Sequence, residues 1–294
     1  MFDILYSNFL YFFSSSESVV AIIIVFIFAS LIGSFINVCA YRLPLGRSIV
    51  SPGSACTSCG EGVKWYLNIP ILSYLFLRGR CDSCASPFSY RYALIELITA
   101  LLGVVIFMNF CSSLMLMVYY FVFTIFLIII FLIDLDHWLI LDFVSVPAII
   151  VGLIGSIFVF NMNPYDSALY FLFPELPIYS NKFLYNFCNS ILGIGFGYVL
   201  FKMIAFWGTV LLRQEAMGGG DVKLAMVIGA FLGMEKGIAA MFLSFFIGFV
   251  FILPIILFMK KSGREPLPFG TFMALAGFIT LIYGDSIINM LTGF

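Results

Sequence analysis

The strongest constraint on this chain is a succession of apolar runs, most of them within the roughly 17 to 25 residues that carry a helix across a bilayer. They lie at Val19–Tyr41, Tyr92–Met108, Leu114–Ile133, Phe143–Phe160, Phe183–Phe206, Val222–Leu232, Ile238–Phe258 and Phe269–Leu291. A backbone in hydrocarbon must satisfy its own hydrogen bonds, which leaves only helices or closed barrels, and the alternating segments of about 10 residues that build a barrel are missing from this sequence. Composition points the same way: 63% hydrophobic residues, 36 Phe and 10% charge cannot clothe a soluble globule. The expected fold is an all-α polytopic membrane protein of about eight transmembrane helices, with the lipid bilayer as its surroundings and no nucleic acid as a partner. Val222–Leu232 is short and parted from the next run only by Gly233-Met234-Glu235-Lys236, so seven spans with a re-entrant turn is the alternative. The first run follows Ser14-Ser15-Ser16-Glu17, with no basic leading region and no small-residue cleavage pattern, and reads as a retained anchor.

Lys and Arg mark the cytoplasmic side of such a protein. Arg42, Arg47, Lys64, Arg78, Arg80 and Arg91 fall in or beside the first loop, Arg213 and Lys223 beside a Gly-rich turn, and Lys260, Lys261 and Arg264 in the penultimate loop. With eight spans all of these share one face, whereas Lys182 and Lys236 fall on the other, so both termini are expected outside. The long loop from Arg42 to Arg91 holds two Cys-x-x-Cys hooks, Cys56/Cys59 and Cys81/Cys84. Their spacing fits four thiolates around one structural Zn²⁺, which leaves no open position for catalysis. A pair of disulfides is the rival, disfavoured in a loop whose charge places it in the reducing cytosol. Cys39, Cys111 and Cys188 stand alone in or near apolar runs and read as packing residues.

Two carboxylates stand at the ends of apolar runs. Asp134 closes Phe121–Ile133, and Asp221 follows Met217-Gly218-Gly219-Gly220 directly before Val222–Leu232. An ionised Asp near the hydrocarbon costs about 2.5 to 3.5 kcal/mol, so such a residue ordinarily serves a pathway, a partner or a reaction. The charge-derived orientation puts both on the cytoplasmic side, where they can form one site. Two close carboxylates share a proton, one acting as base toward water while the other polarises a peptide carbonyl, which is aspartic-protease chemistry. A lone His137 and no His-x-x-x-His pair leave triads and catalytic metals unsupported. Asp136, His137 and Asp142 read as solvated loop residues, Asp142 also as a helix N-cap. The competing class is a transporter that relays protons or cations through buried acids. It leaves the thiolate loop and the Gly-rich turn unexplained.

Taken in order, Gly33-Ser34-Phe35-Ile36-Asn37-Val38 with Tyr41-Arg42-Leu43-Pro44, the two hooks, Asn68-Ile69-Pro70, Arg78-Gly79-Arg80-Cys81, Ile133-Asp134-Leu135-Asp136-His137 and Gly218-Gly219-Gly220-Asp221 span nearly the whole chain. This ensemble resembles the type IV prepilin peptidases, although the family often has Pro where Leu141 precedes Asp142. The resemblance implies a bifunctional inner-membrane enzyme that faces the cytoplasm. Such an enzyme removes the short basic leader of prepilins and pseudopilins after a Gly, then methylates the new N-terminal amine, commonly of Phe, with S-adenosylmethionine. It maps the catalytic pair onto Asp134 and Asp221. It also implies a methyltransferase-associated part over residues 1–111 and a peptidase bundle over 112–294. Gly33, Asn37, Arg42 and Gly79 are expected to shape or support the methyl-donor site; for Gly33, tight helix packing is the alternative.

Overall fold

The computed structural model describes residues 16–56, 58–158, 177–213, 217–259 and 268–292. The chain divides into two compact units, Met1–Cys111 and Ser112–Phe294. Lys260, Lys261, Arg264 and the end of the expected Phe143–Phe160 span lie outside the described residues.

In the first unit, α1 (Ser16–Arg42) leads into a long polar loop containing one turn of 3₁₀ helix, Trp65–Leu67, and the five-residue α2 (Leu72–Phe76), and α3 (Arg91–Phe110) closes it. α1 and α3 pack together because Gly33 lets them touch: a methyl group there would lie 2.8 Å from the Glu96 Cα and 3.1 Å from the Thr99 Cβ. Small residues drive helix association in a bilayer, where lipid tails are as apolar as leucine and only close contact discriminates. The opposite face of α1 exposes Val20, Ile23, Ile27, Leu31 and Phe35, the pattern of a helix turned toward acyl chains.

The second unit is a bundle of α4 (Leu114–His137), α5 (Asp142–Ser156), α6 (Lys182–Leu212), α7 (Gly219–Met259) and α8 (Phe269–Thr292). Ser113 caps α4 by accepting from the Leu116 N–H, and Trp138 ends it in a left-handed conformation while its N–H donates to the Asp134 carbonyl at 2.8 Å. Asn181 caps α6 by accepting from the N–H groups of Phe183 and Leu184. At the closest crossing, a Cβ on Gly193 of α6 would lie 2.5 Å from the Gly229 carbonyl of α7, and one on Gly197 would lie 2.8 Å from the Ala225 carbonyl. The obstacle is backbone, so no rotamer change relieves it. Replacing Gly229 by Leu is therefore expected to cost about 3 kcal/mol or more, read as loss of folded protein and a lower thermal midpoint in detergent.

All eight expected segments are helical over their described residues, except that the Phe143–Phe160 run turns at Ile157 and Phe158, and their lengths differ from the sequence reading. Among the described residues, six helices are long and apolar enough to cross a membrane: α1, α3, α4, α6, α7 and α8. α5 has only 15 residues. The runs Val222–Leu232 and Ile238–Phe258 are the two helices of α7, parted by a sharp turn at Gly233 with φ 75° and ψ −171°, and the second folds back on the first: a Cβ on Gly237 would lie 3.4 Å from the Gly229 Cα. Asn189 of α6 fills the break, its carboxamide oxygen accepting from the Met234 N–H at 3.0 Å. Lys236, expected in a loop, is buried in α7 and paired with Asp285 of α8 at 2.8 Å.

Candidate functional site

In the second unit, Asp134 comes from the last turn of α4 and Asp221 from the first turn of α7. Asp134 is 4% exposed, and each carboxylate lies within the electrostatic reach of the other. Asp134 is held from a third direction. Its Oδ2 accepts from the Thr271 N–H at 2.8 Å, and the Gly270 N–H also donates to it, so the first turn of α8 aims two backbone donors at this carboxylate. A methyl group on Gly270 would lie 2.8 Å from Asp134 Oδ2 and 2.9 Å from the Ile140 Cδ1, while one on Gly220 would lie 2.7 Å from the Ile140 Cβ. Ile140, buried in the short α4–α5 connection, thus wedges between the glycine beside one aspartate and the glycine beside the other.

Around this pair, Asp136 and His137 are exposed. Asp142 corrects the sequence reading in two ways: Leu141 occupies the N-cap of α5 without a side-chain bond, and Asp142 sits in the first turn, where it pairs with Lys223 of α7. The ion pair ties the start of α5 to α7 two residues beyond Asp221. The arrangement can activate a water between two carboxylates.

In the first unit, the four sulfurs of Cys56, Cys59, Cys81 and Cys84 lie within 4.8 Å of one another, and Cys56 Sγ is 3.8 Å from Cys84 Sγ. Zn–S bonds of about 2.3 Å at tetrahedral angles place sulfurs about 3.8 Å apart, so the cluster fits Zn²⁺. The two hooks repeat one backbone design. Cys56 and Cys81 donate their N–H to the carbonyls of Glu61 and Ser86, both at 2.9 Å, and their carbonyls accept from Gly60 and Ala85 at 2.9 and 3.0 Å. Gly60 and Ala85 are both left-handed, with φ 73° and 57°. The first turn aims N–H groups at its first sulfur: those of Cys59 and Ser58, with the Ser86 hydroxyl, pull the Cys56 thiol down to about 6. Lys64 pairs with Asp82 at 3.1 Å and links one hook to the other. All seven cysteines are free; Cys39 is buried as a packing residue is, but Cys111 is exposed at the end of α3, because the helix stops there.

Above the α1–α3 crossing lies a cavity of about 310 Å³, within the range of small-molecule sites. Asn37 and Arg42 line it, together with Ser34, Tyr41, Tyr74 and Glu96. Arg42 donates to the Ser48 and Gly53 carbonyls, both at 3.1 Å, and so folds the start of the loop into a wall. Gly33 and Gly79 do not line the cavity. Gly33 serves the helix crossing, and Gly79 takes a left-handed turn with φ 67° against the Tyr74 ring. Neither Glu96 nor the α8 N-terminus was picked out in the sequence. Glu96 carries the signal that marked Asp134, a lone acid in an apolar run; Gly270 and Thr271 carry none, because backbone donors have no residue type.

Two family models match the chain: the bacterial peptidase A24 N-terminal domain over residues 27–110 and the type IV leader peptidase family over residues 121–253. Curated relatives share its length. A prepilin leader peptidase/N-methyltransferase of Aeromonas salmonicida is 31% identical over 295 residues, covering 90% of this chain and 91% of its own. Proteins of the same description are 33% identical in Bacillus subtilis, over 90% of this chain and 96% of that one, and 30% identical in Pseudomonas aeruginosa, over 87% and 88%. No solved structure matches the chain.

Proposed function

This chain belongs to the type IV leader peptidase family, and we propose that it cleaves the leader from prepilins or pseudopilins and N-methylates the new N-terminus, commonly Phe, with S-adenosylmethionine. The observation that carries the peptidase half is the meeting of two isolated aspartates, from helix ends far apart in sequence, with a helix N-terminus fixing one of them. Asp134 and Asp221 are the catalytic pair. One carboxylate takes a proton from the attacking water; the other, protonated, donates to the carbonyl oxygen of the scissile bond. Backbone donation from Gly270 and Thr271 orients Asp134, and Ile140 sets the spacing.

In this reading the enzyme lies in the inner membrane with this site toward the cytoplasm and both termini in the periplasm, an orientation that the distribution of Lys and Arg supports. A substrate with a basic leader before an apolar helix obeys the same charge rule, so its junction waits at the cytoplasmic interface. The cavity lined by Asn37 and Arg42 is the site for the methyl donor, which supplies an electrophilic sulfonium methyl group. Zn²⁺ on Cys56, Cys59, Cys81 and Cys84 is structural, since four thiolates close its coordination shell. A proton- or cation-coupled transporter has no use for the paired thiolate hooks or the donor-held Asp134.

Mass spectrometry of a mature pilin from cells with and without this protein tests both halves at once: loss of the gene is expected to leave the leader attached and the methyl absent. Gly270→Ala is expected to slow cleavage about 100-fold by displacing Asp134, since an error near 1 Å in a reacting group has that scale. Turnover of a prepilin peptide checks it, and an unchanged rate rejects the role assigned to the α8 N-terminus.

A further inference from the structure

The cavity of the first unit contains a buried carboxylate, Glu96. Glu96 is 8% exposed, and its Oε2 accepts from the Ile71 N–H at 2.8 Å. The Ser34 hydroxyl donates to the same carboxylate. Two carboxylate oxygens offer about four acceptor positions, so these two bonds leave capacity facing the cavity. The ion pairs among the described residues, Lys64–Asp82, Lys223–Asp142 and Lys236–Asp285, leave Glu96 out. Arg42 on the same cavity is committed to two backbone carbonyls. Asn37, 7% exposed, spends one N–H on the Tyr92 carbonyl at 3.1 Å. A carboxylate removed from water without a resident cation is costly, and a cationic ligand offsets that cost. The α1–α3 end of the cavity is therefore suited to a small group that is positively charged and rich in donors.

Resting on the methyltransferase reading, we propose that Glu96 receives the freed N-terminal ammonium of the processed substrate in this cavity and takes its proton before methyl transfer. An α-amino group with an ordinary pKa of about 7.7 to 8.0 is mostly protonated at neutral pH and has no lone pair to attack with. One N–H proton passes to the Glu96 carboxylate. The amine nitrogen then forms a bond to the methyl carbon as the carbon–sulfur bond of the sulfonium donor breaks. Sulfur keeps the electron pair and leaves as a neutral thioether, the product is a methylammonium, and Glu96 returns its proton to water. The Ile71 N–H and Ser34 hydroxyl hold the carboxylate in place.

The test uses the full-length enzyme in lipid nanodiscs and a Phe-led peptide with a free amine, beside its N-acetylated twin. Glu96→Gln keeps the shape and an oxygen for the Ile71 N–H while removing the charge. It is expected to lower methylation about 100-fold or more, as loss of a general base does, with prepilin cleavage unchanged. Binding of S-adenosylhomocysteine is expected to stay within about threefold, and the preference of the native enzyme for the free-amine peptide is expected to vanish. Glu96→Asp, which keeps the charge, is expected to retain at least about tenfold more activity than the Gln variant. Methylation by Glu96→Gln near the native rate overturns the proposal. So does a loss of donor binding that matches the loss of methylation, or equal loss in the Asp and Gln variants. A native enzyme that forms no methylated product removes the methyltransferase reading itself. The two-peptide comparison, read as binding, then still decides whether Glu96 is an ammonium site.

Discussion

Asp134→Asn and Asp221→Asn are each expected to abolish prepilin cleavage, by about 10⁴-fold or to the limit of detection, while methylation of a precleaved pilin stays within about twofold of the native rate. The cleavage loss is large because an amide can neither accept a proton from the attacking water nor share one with its partner. In Asp134→Asn the new carboxamide keeps a carbonyl oxygen for the Thr271 N–H, which Asp134 accepts at 2.8 Å, so the α8 N-terminus stays satisfied and the variant folds. That makes the substitution a test of charge rather than of architecture. Methylation is expected to survive because the cavity and the sulfur cluster draw their lining residues from the first unit alone. Processing at the native rate by either variant rejects the aspartic dyad, and joint loss of both activities in a folded variant rejects separate sites.

The bundle was legible in the sequence because each span writes its own signal: apolar length needs no knowledge of neighbours. The turn at Gly233 was legible too, but the partners that close it were not. Gly233-Met234-Glu235-Lys236 looks like a polar turn, yet Asn189 satisfies the Met234 N–H and Asp285 pairs with Lys236, so polar groups are absorbed by partners 45 and 49 residues away. Ala225, Gly229, Gly233 and Gly237 recur every fourth residue along α7, and the first three crowd Gly193 and Gly197 of α6 or the Asn189 carboxamide. That small-residue stripe was readable as a close helix crossing and went unread. Asp134 and Asp221 announced themselves because a carboxylate in an apolar run has few ordinary explanations. Their supports did not: Ile140 resembles any core isoleucine, and the donors at Gly270 and Thr271 are backbone. Glu96 obeyed the same rule as Asp134. It was overlooked because it lies in the first turn and a half of its helix, close to the basic residue Arg91, where an acid resembles ordinary interfacial charge.

Stripping zinc with a chelator, or replacing Cys59 by Ser, is expected to unfold the segment from Ser54 to Pro87 and drive methylation to background, with cleavage within about twofold of native. The segment has little else to hold it. Among its described residues, most side chains between Ser54 and Gly62 are exposed, α2 buries none, and the antiparallel contacts amount to the single bridges Ala55–Gly62 and Arg80–Pro87. An insertion of this size cannot build an adequate apolar core, whereas structural zinc supplies an apparent 10 to 16 kcal/mol, roughly, at neutral pH. The cavity depends on the same scaffold, since Cys56, Cys81, Asp82 and Ser86 contribute to its wall. Metal must leave as the pH falls. Thiolates are the ligands, and protons compete with Zn²⁺ for them. Zinc content, amide exchange over residues 54–87 and the two product assays are expected to report this together. A metal-free protein with a protected loop and full methylation rejects the structural zinc, and cleavage that collapses along with methylation rejects the confinement of its effect to the first unit.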